Sequence, residues 1–228
     1  MRSKKQHVYV WDVLIRLFHW GLLVAVALSY YTTKTDGVPF LFPIEVHAQT
    51  GYIIIGLLVF RFIWGFTGSI YGRFGSFLSP PSEVVAYTRA LFLRRAAQYA
   101  SHNPLGGWMV VLLLLSLSFQ AISGLFLSDD IFFQGPFYNL VGRDVSRELS
   151  GLHALNSDLL LILISLHIVA LIAHKLLGES LVTAMVTGVK HFKHPPEDLT
   201  AAVISHQRLR ACAALLIAFG VTGWLWFA

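Results

Sequence analysis

Ten histidines occur in the chain, and four of them, His19, His47, His153 and His167, lie in or at the ends of long apolar stretches. An ionisable side chain is costly in such surroundings and is a functional candidate wherever it occurs. His153 and His167 are 14 positions apart. At about 100° and about 1.5 Å per residue, both project from one face of a helix, about 21 Å from each other along its axis. His47 and His153 each open an apolar stretch, whereas His19 follows soon after Asp12 and His167 shortly precedes Lys175. Depth therefore sorts the four into an outer pair, His47 with His153, and an inner pair, His19 with His167. Two neutral imidazoles on opposite sides of a haem iron saturate it, which suits electron transfer better than oxygen binding. Two such pairs at that spacing would hold two haems.

Other residues fit the same chemistry. Haem propionates need cations or hydrogen-bond donors. Arg16 lies one turn before His19, and Arg61 is 14 positions after His47, near the depth of the inner pair. Either could pair with an inner propionate; Arg61 could instead snorkel to the membrane surface. Gly21, Gly51, Gly56 and Gly124 could let a flat ring approach the backbone, although glycine is also ordinary packing material between membrane helices. His174 lies on the face of His167 and is the rival inner ligand, less favoured because it adjoins Lys175 at the boundary. His7, His102, His191, His194 and His206 fall in polar connections and read as solvated. A competing class is a transporter or other non-redox membrane protein whose histidines bind a metal ion or relay protons. Against it, metal ligands converge on one point, whereas these occupy two depths.

The elements that must position these residues follow from composition. Of 228 residues, 56% are apolar and 13% charged, about half the charge of an ordinary soluble domain. The apolar residues fall into five blocks, Val13 to Tyr31, His47 to Phe66, Gly107 to Leu127, Leu152 to Leu176 and Ala211 to Phe227. The first four are long enough to cross about 30 Å of hydrocarbon, and the fifth is marginal. The expected fold is an all-α integral membrane protein, an antiparallel four-helix transmembrane bundle with a fifth, C-terminal transmembrane helix. Residues 1–194 would form the core, and 195–228 a cytoplasmic linker and the last helix. Met1 to Lys5 is basic, but Asp12, Arg16 and His19 interrupt the apolar run that follows, so the segment reads as a retained first helix and not a cleaved signal.

Basic residues orient the spans. The N-terminal tail and the 67–106 and 175–210 connections hold twelve of them, against Lys34, Arg143 and Arg147 on the other side, which puts the N-terminus in the cytoplasm. The net charge of +5 is thus spread between spans and does not argue for a nucleic-acid partner. Cys212 is the only cysteine, excluding a disulfide within the chain and thioether attachment of a haem. Pro80-Pro81-Ser82-Glu83 reads as the start of a short amphipathic surface helix, Val84 to Ala97. The outer 128–151 connection combines Asp129, Asp130, Phe132, Phe133, Phe137 and Tyr138, a mixture suited to docking a partner or to resting on lipid.

Several stretches together resemble a known family. They are Trp11-Asp12 through Arg16 to His19-Trp20, His47 through Gly51-Tyr52, and Arg61 through Trp64-Gly65. Asn103-Pro104-Leu105-Gly106, Ser123-Gly124-Leu125-Phe126 and the helix from His153 to His167 complete the set. Over about residues 8 to 194 the chain resembles the bacterial cytochrome b561 group, including the b-type cytochrome subunit of nickel-iron hydrogenases. The resemblance implies a four-helix core in the bacterial inner membrane with two non-covalent b haems, ligated by His19, His47, His153 and His167. It further implies electron exchange between membrane quinone and a partner, either hydrogenase subunits or a periplasmic c-type cytochrome.

Overall fold

The computed structural model describes residues 6–34, 43–129, 131, 133–192, 195–199 and 207–228. Asp130, Phe132, His194 and His206 lie outside the described residues. The described chain runs β1 (Gln6–Tyr9), α1 (Val13–Thr32), α2 (Pro43–Thr67), α3 (Pro81–Phe92), α4 (Pro104–Gly124), α5 (Tyr138–Leu176), α6 (Leu181–Thr187), β2 (Val189–Phe192) and α7 (Gln207–Phe227). The helices α1, α2, α4, α5 and α7 are each long and apolar enough to cross a membrane.

The spans agree with the apolar blocks except where polar residues also favour helix. α5 starts at Tyr138 and not near Leu152. Gly142 interrupts it with φ 76° and ψ 173°, and 143–176 then runs on as helix for about 51 Å. Residues such as Arg147, Glu148 and Leu149 are good helix formers, and hydropathy cannot see a helix that leaves the hydrocarbon. His153 therefore sits well inside its helix. α7 begins at Gln207, four residues before the apolar block, and its 21 residues reach about 31 Å, so its length is no longer marginal. The surface helix α3 starts at Pro81 and stops at Phe92, short of Ala97. Arg94 takes a left-handed backbone (φ 55°) and Arg95 N–H donates to Ala90 O at 2.8 Å, a helix-ending arrangement that usually uses glycine.

The chain forms two compact units, and the division falls inside each of the five long helices. The first comprises residues 1–17, 62–112 and 164–212. Its short antiparallel sheet, β1 against β2, was not expected from four-residue strands of mixed polarity. Asp12 caps α1, accepting from Ile15 N–H at 2.9 Å. Its other oxygen accepts from Trp64 Nε1–H at 3.0 Å and from the Ser69 hydroxyl. The Trp11-Asp12 motif is thus an anchor for the chain's entry into α1. Lys190 Nζ donates to Tyr99 O at 3.1 Å and Ser101 O at 2.8 Å, and Asp198 accepts from the Ala100 and Ser101 N–H groups. This pins the 96–103 segment, so His102 is half-buried between the rings of Trp11 (4.9 Å) and Phe77 (4.6 Å), not solvated as expected.

The second unit comprises 18–61, 113–163 and 213–228. Within it α4 and α5 run antiparallel and are clasped by Asn156, whose Nδ2 donates to Ser116 O (3.0 Å) and Gln120 Oε1 (2.7 Å) while Oδ1 accepts from Ser116 Oγ–H (2.8 Å). A Cβ on Gly56 would collide with Thr222, so this glycine lets α7 pack on α2 and does not clear room for a ring. Gly21 likewise faces Leu57. In the 128–151 connection, Phe137 N–H donates to Leu125 O at 2.9 Å and Gly135 N–H to Leu127 O at 2.8 Å. The loop folds back on itself, and Phe133, Phe137 and Tyr138 are half-buried. Phe137 packs on Phe126 and Trp224.

Candidate functional site

The second unit brings His47 of α2 and His153 of α5 together, with ring centroids 6.3 Å apart and planes at 67°. Each ring is held by its Nδ1. For His47, Ser29 O and Thr32 Oγ1 lie at 3.1 Å and Ser29 Oγ at 3.3 Å. A carbonyl only accepts, so Nδ1 carries the hydrogen. Thr32 Oγ1 itself donates to Ser29 O at 2.6 Å. For His153, Nδ1 is 2.9 Å from Ser123 Oγ, which donates to Gln120 O at 3.1 Å. The serine hydrogen being so engaged, its oxygen accepts from His153 Nδ1–H. Both rings are therefore fixed in the tautomer that leaves Nε2 as a bare acceptor, the form in which histidine ligates a metal.

The dimensions fit a metal between them. Metal–imidazole bonds of about 2 Å on opposite sides of one ion put the ring centres about 6 Å apart. A Cβ on Gly51, one turn beyond His47, would meet nothing within 4 Å, and one on Gly124 would first meet His153 Cε1 at 3.5 Å. α2 is thus open beside the pair, while Gly124 of α4 lies against the His153 ring. Among the described residues no group of three or more His, Cys, Asp or Glu side chains gathers as a metal site. Two ligands alone suit a planar macrocycle that supplies the remaining donors itself.

The other predicted residues are divided between the two units. His19 belongs to the second unit and His167 to the first, both half-buried. Arg61 of the second unit is 4% exposed, which removes it from the surface where a snorkelling side chain would end. Arg16 of the first unit donates through Nη1 to Val186 O. His174 has both ring nitrogens engaged, Nδ1 with Glu179 Oε2 at 3.1 Å and Nε2 with Asn103 Nδ2 at 3.3 Å. No lone pair is left for a metal. It lines, with Tyr87, Arg94, Glu179 and Glu197, a cavity of about 470 Å³ in the first unit. Burial opposes ionisation of Glu179, yet the hydrogen bond from His174 and the charge of Lys190 hold it below the usual carboxylate value. Burial lowers Lys190 to about 8 despite Glu179 and Asp198. Sequence reasoning gave no role to Ser29, Thr32 or Ser123; Ser123 entered only within a family-like stretch, and the signal of Ser29 and Thr32 was a hydroxyl at the end of an apolar run.

Paired imidazoles with their metal-binding nitrogens bare, in a chain of five apolar spans, define a multi-pass membrane cytochrome of the b type. The chain belongs to the prokaryotic cytochrome b561 family, whose sequence model matches residues 10–188. This is a family of helical membrane bundles that carry electrons on b-type haem. Three similar proteins are each named probable Ni/Fe-hydrogenase B-type cytochrome subunit. The one from Rhizobium leguminosarum bv. viciae is 25% identical over 83% of this chain and 91% of its own length. That from Cupriavidus necator is 27% identical over 81% and 87%, and that from Azotobacter chroococcum 24% over 86% and 93%. No solved structure matches the chain.

Proposed function

We propose that the chain conducts electrons across the bacterial inner membrane between membrane quinone and a hydrogenase, through two b haems. The observation that carries this reading is the His47–His153 pair, 6.3 Å between ring centres with Nδ1 hydrogen-bonded on both sides. His47 and His153 ligate the outer haem, and His19 and His167 the inner one, since His174 has no free nitrogen. Arg61 and Arg16 neutralise inner propionates. Haem, when bound, supplies the reversible one-electron change at iron. The protein's part is to hold the imidazoles, exclude water and set the surrounding charge that tunes each potential. The names of the three relatives favour a hydrogenase as partner over a c-type cytochrome. The basic connections put the N-terminus in the cytoplasm, with 1–194 as the haem-binding core and 195–228 adding a linker and α7.

The test is a dithionite-reduced minus oxidised spectrum of the purified protein, with pyridine haemochrome counted per chain. The expected result is the narrow bands of six-coordinate haem b at two haems per chain, with His19→Ala and His167→Ala each losing the same one. A colourless protein overturns the redox reading; a single haem overturns the inner pair. Co-purification of hydrogenase subunits in mild detergent checks the partner.

A further inference from the structure

The two strands place a second pair of histidines directly opposite each other. His7 of β1 and His191 of β2 are direct register partners, as are Val8 and Lys190. Side chains alternate along a strand. Lys190 and the buried Phe192 therefore turn toward the protein at alternate positions, while His7 and His191 are exposed together on neighbouring strands. Their ring centroids are 4.4 Å apart, edge to face at 84°. The first unit contains both strands, and neither imidazole takes part in the proposed electron path.

We propose that His7 and His191 form a site for a divalent first-row transition ion, such as Cu²⁺, Ni²⁺ or Zn²⁺, with water completing its coordination. Imidazole is a preferred donor for these ions. At metal–nitrogen bonds of about 2.0–2.1 Å, a tetrahedral ion holds two nitrogens about 3.4 Å apart. Directly opposed residues of an antiparallel pair have Cβ atoms about 4.5–5.5 Å apart. Rotation of two exposed rings from their edge-to-face contact then turns one nitrogen of each toward a shared ion, with no movement of the backbone. The strand positions do the preorganising. The nearest cation in the same strand, Lys190, is committed to Tyr99 O and Ser101 O and does not share the outward face. A bound ion fastens β1, which leads into the Asp12 cap of α1, to the strand that follows α6, so its occupancy governs how firmly the first strand is held.

The experiment uses tag-free, haem-loaded protein in detergent, stripped with chelator and titrated with Cu²⁺, Ni²⁺, Zn²⁺ and Mn²⁺ separately. Calorimetry, thermal unfolding and the electron paramagnetic resonance of added Cu²⁺ are read. The expected result is one saturable ion per chain with Cu²⁺ tighter than Ni²⁺ and Mn²⁺ weakest. A raised Tm should accompany it, with two nitrogen donors in the copper spectrum. His7→Asn and His191→Asn should each weaken binding about tenfold or more, because the second imidazole binds at high effective concentration. Each should also reduce the copper spectrum to one nitrogen, with the haem spectrum unchanged. Absence of saturable binding overturns the proposal. So does undiminished affinity in the double variant His7→Asn/His191→Asn, which would put the ion elsewhere on the chain.

Discussion

His153 and His174 lie on the same helix, yet their surroundings make opposite use of one side chain. His153 has one nitrogen tied to a serine hydroxyl and the other bare, with the His47 ring centre 6.3 Å away, whereas His174 has both nitrogens spent, on a carboxylate and an amide. An imidazole becomes a ligand when its neighbours supply one acceptor and stop there. Given a second partner it becomes a structural pin, here joining the end of α5 to Asn103 at the start of α4 and to Glu179. Counting hydrogen-bond partners on the ring separates the two roles more sharply than depth or burial does.

Substitutions can break this contrast. The largest effect is expected at His153→Ala, which removes one haem completely from the purified protein, read as a halved pyridine haemochrome; retention of both haems would refute the pairing with His47. Ser123→Ala should keep the haem but weaken it by about 10–100-fold, the usual consequence of losing a partner behind a metal ligand. Haem transfer to apomyoglobin measures it. Thr32→Val should do less by the same assay, since Ser29 O still accepts from His47. His174→Gln should leave both haems in place and lower stability by about 1–3 kcal/mol, because Glu179 loses a buried partner; thermal unfolding checks this, and loss of a haem would restore His174 as the inner ligand.

The smallest effect is a pH dependence in the His174 region. Lys190 titrates near 8 in the folded chain, below its ordinary value of 10.5. Below pH 8 it is charged both folded and unfolded, and the folded state carries the full penalty of burying that charge. Between about 8 and 10.5 only the unfolded chain keeps the proton, so Lys190 makes stability rise with pH across that window. Relative to wild type, Lys190→Met should flatten this part of the Tm–pH profile. An identical slope in the variant would remove Lys190 as its source.

Much of the framework was legible because lipid imposes a simple code: an apolar block of fixed length is a span. That code failed where helix and hydrocarbon part company, at 143–151 of α5 and at the start of α7. It is also silent on β1 and β2, whose four-residue strands are fixed by contacts with Gly188 and Lys190 far along the chain. For the site, depth was enough to match His47 with His153, because the second and fourth spans of an up-and-down bundle run parallel and open at the same side. The hydroxyls that hold them were not legible. Ser29, Thr32 and Ser123 look like ordinary small residues of membrane helices until the partner helix is placed beside them. The same holds for Gly56, whose reason is Thr222, 166 positions later.

The overrun of α5 carries a mechanical consequence. A continuous helix of about 51 Å outlasts a hydrocarbon layer of about 30 Å by several turns. Arg143, Asp144, Arg147 and Glu148 are exposed on its leading turns. Between them and His153 the helix has no joint, since the left-handed glycine, Gly142, comes before the first of these charges. A push or twist applied to those turns has no hinge in which to dissipate before it reaches the imidazole. Grip on the mast is felt at His153.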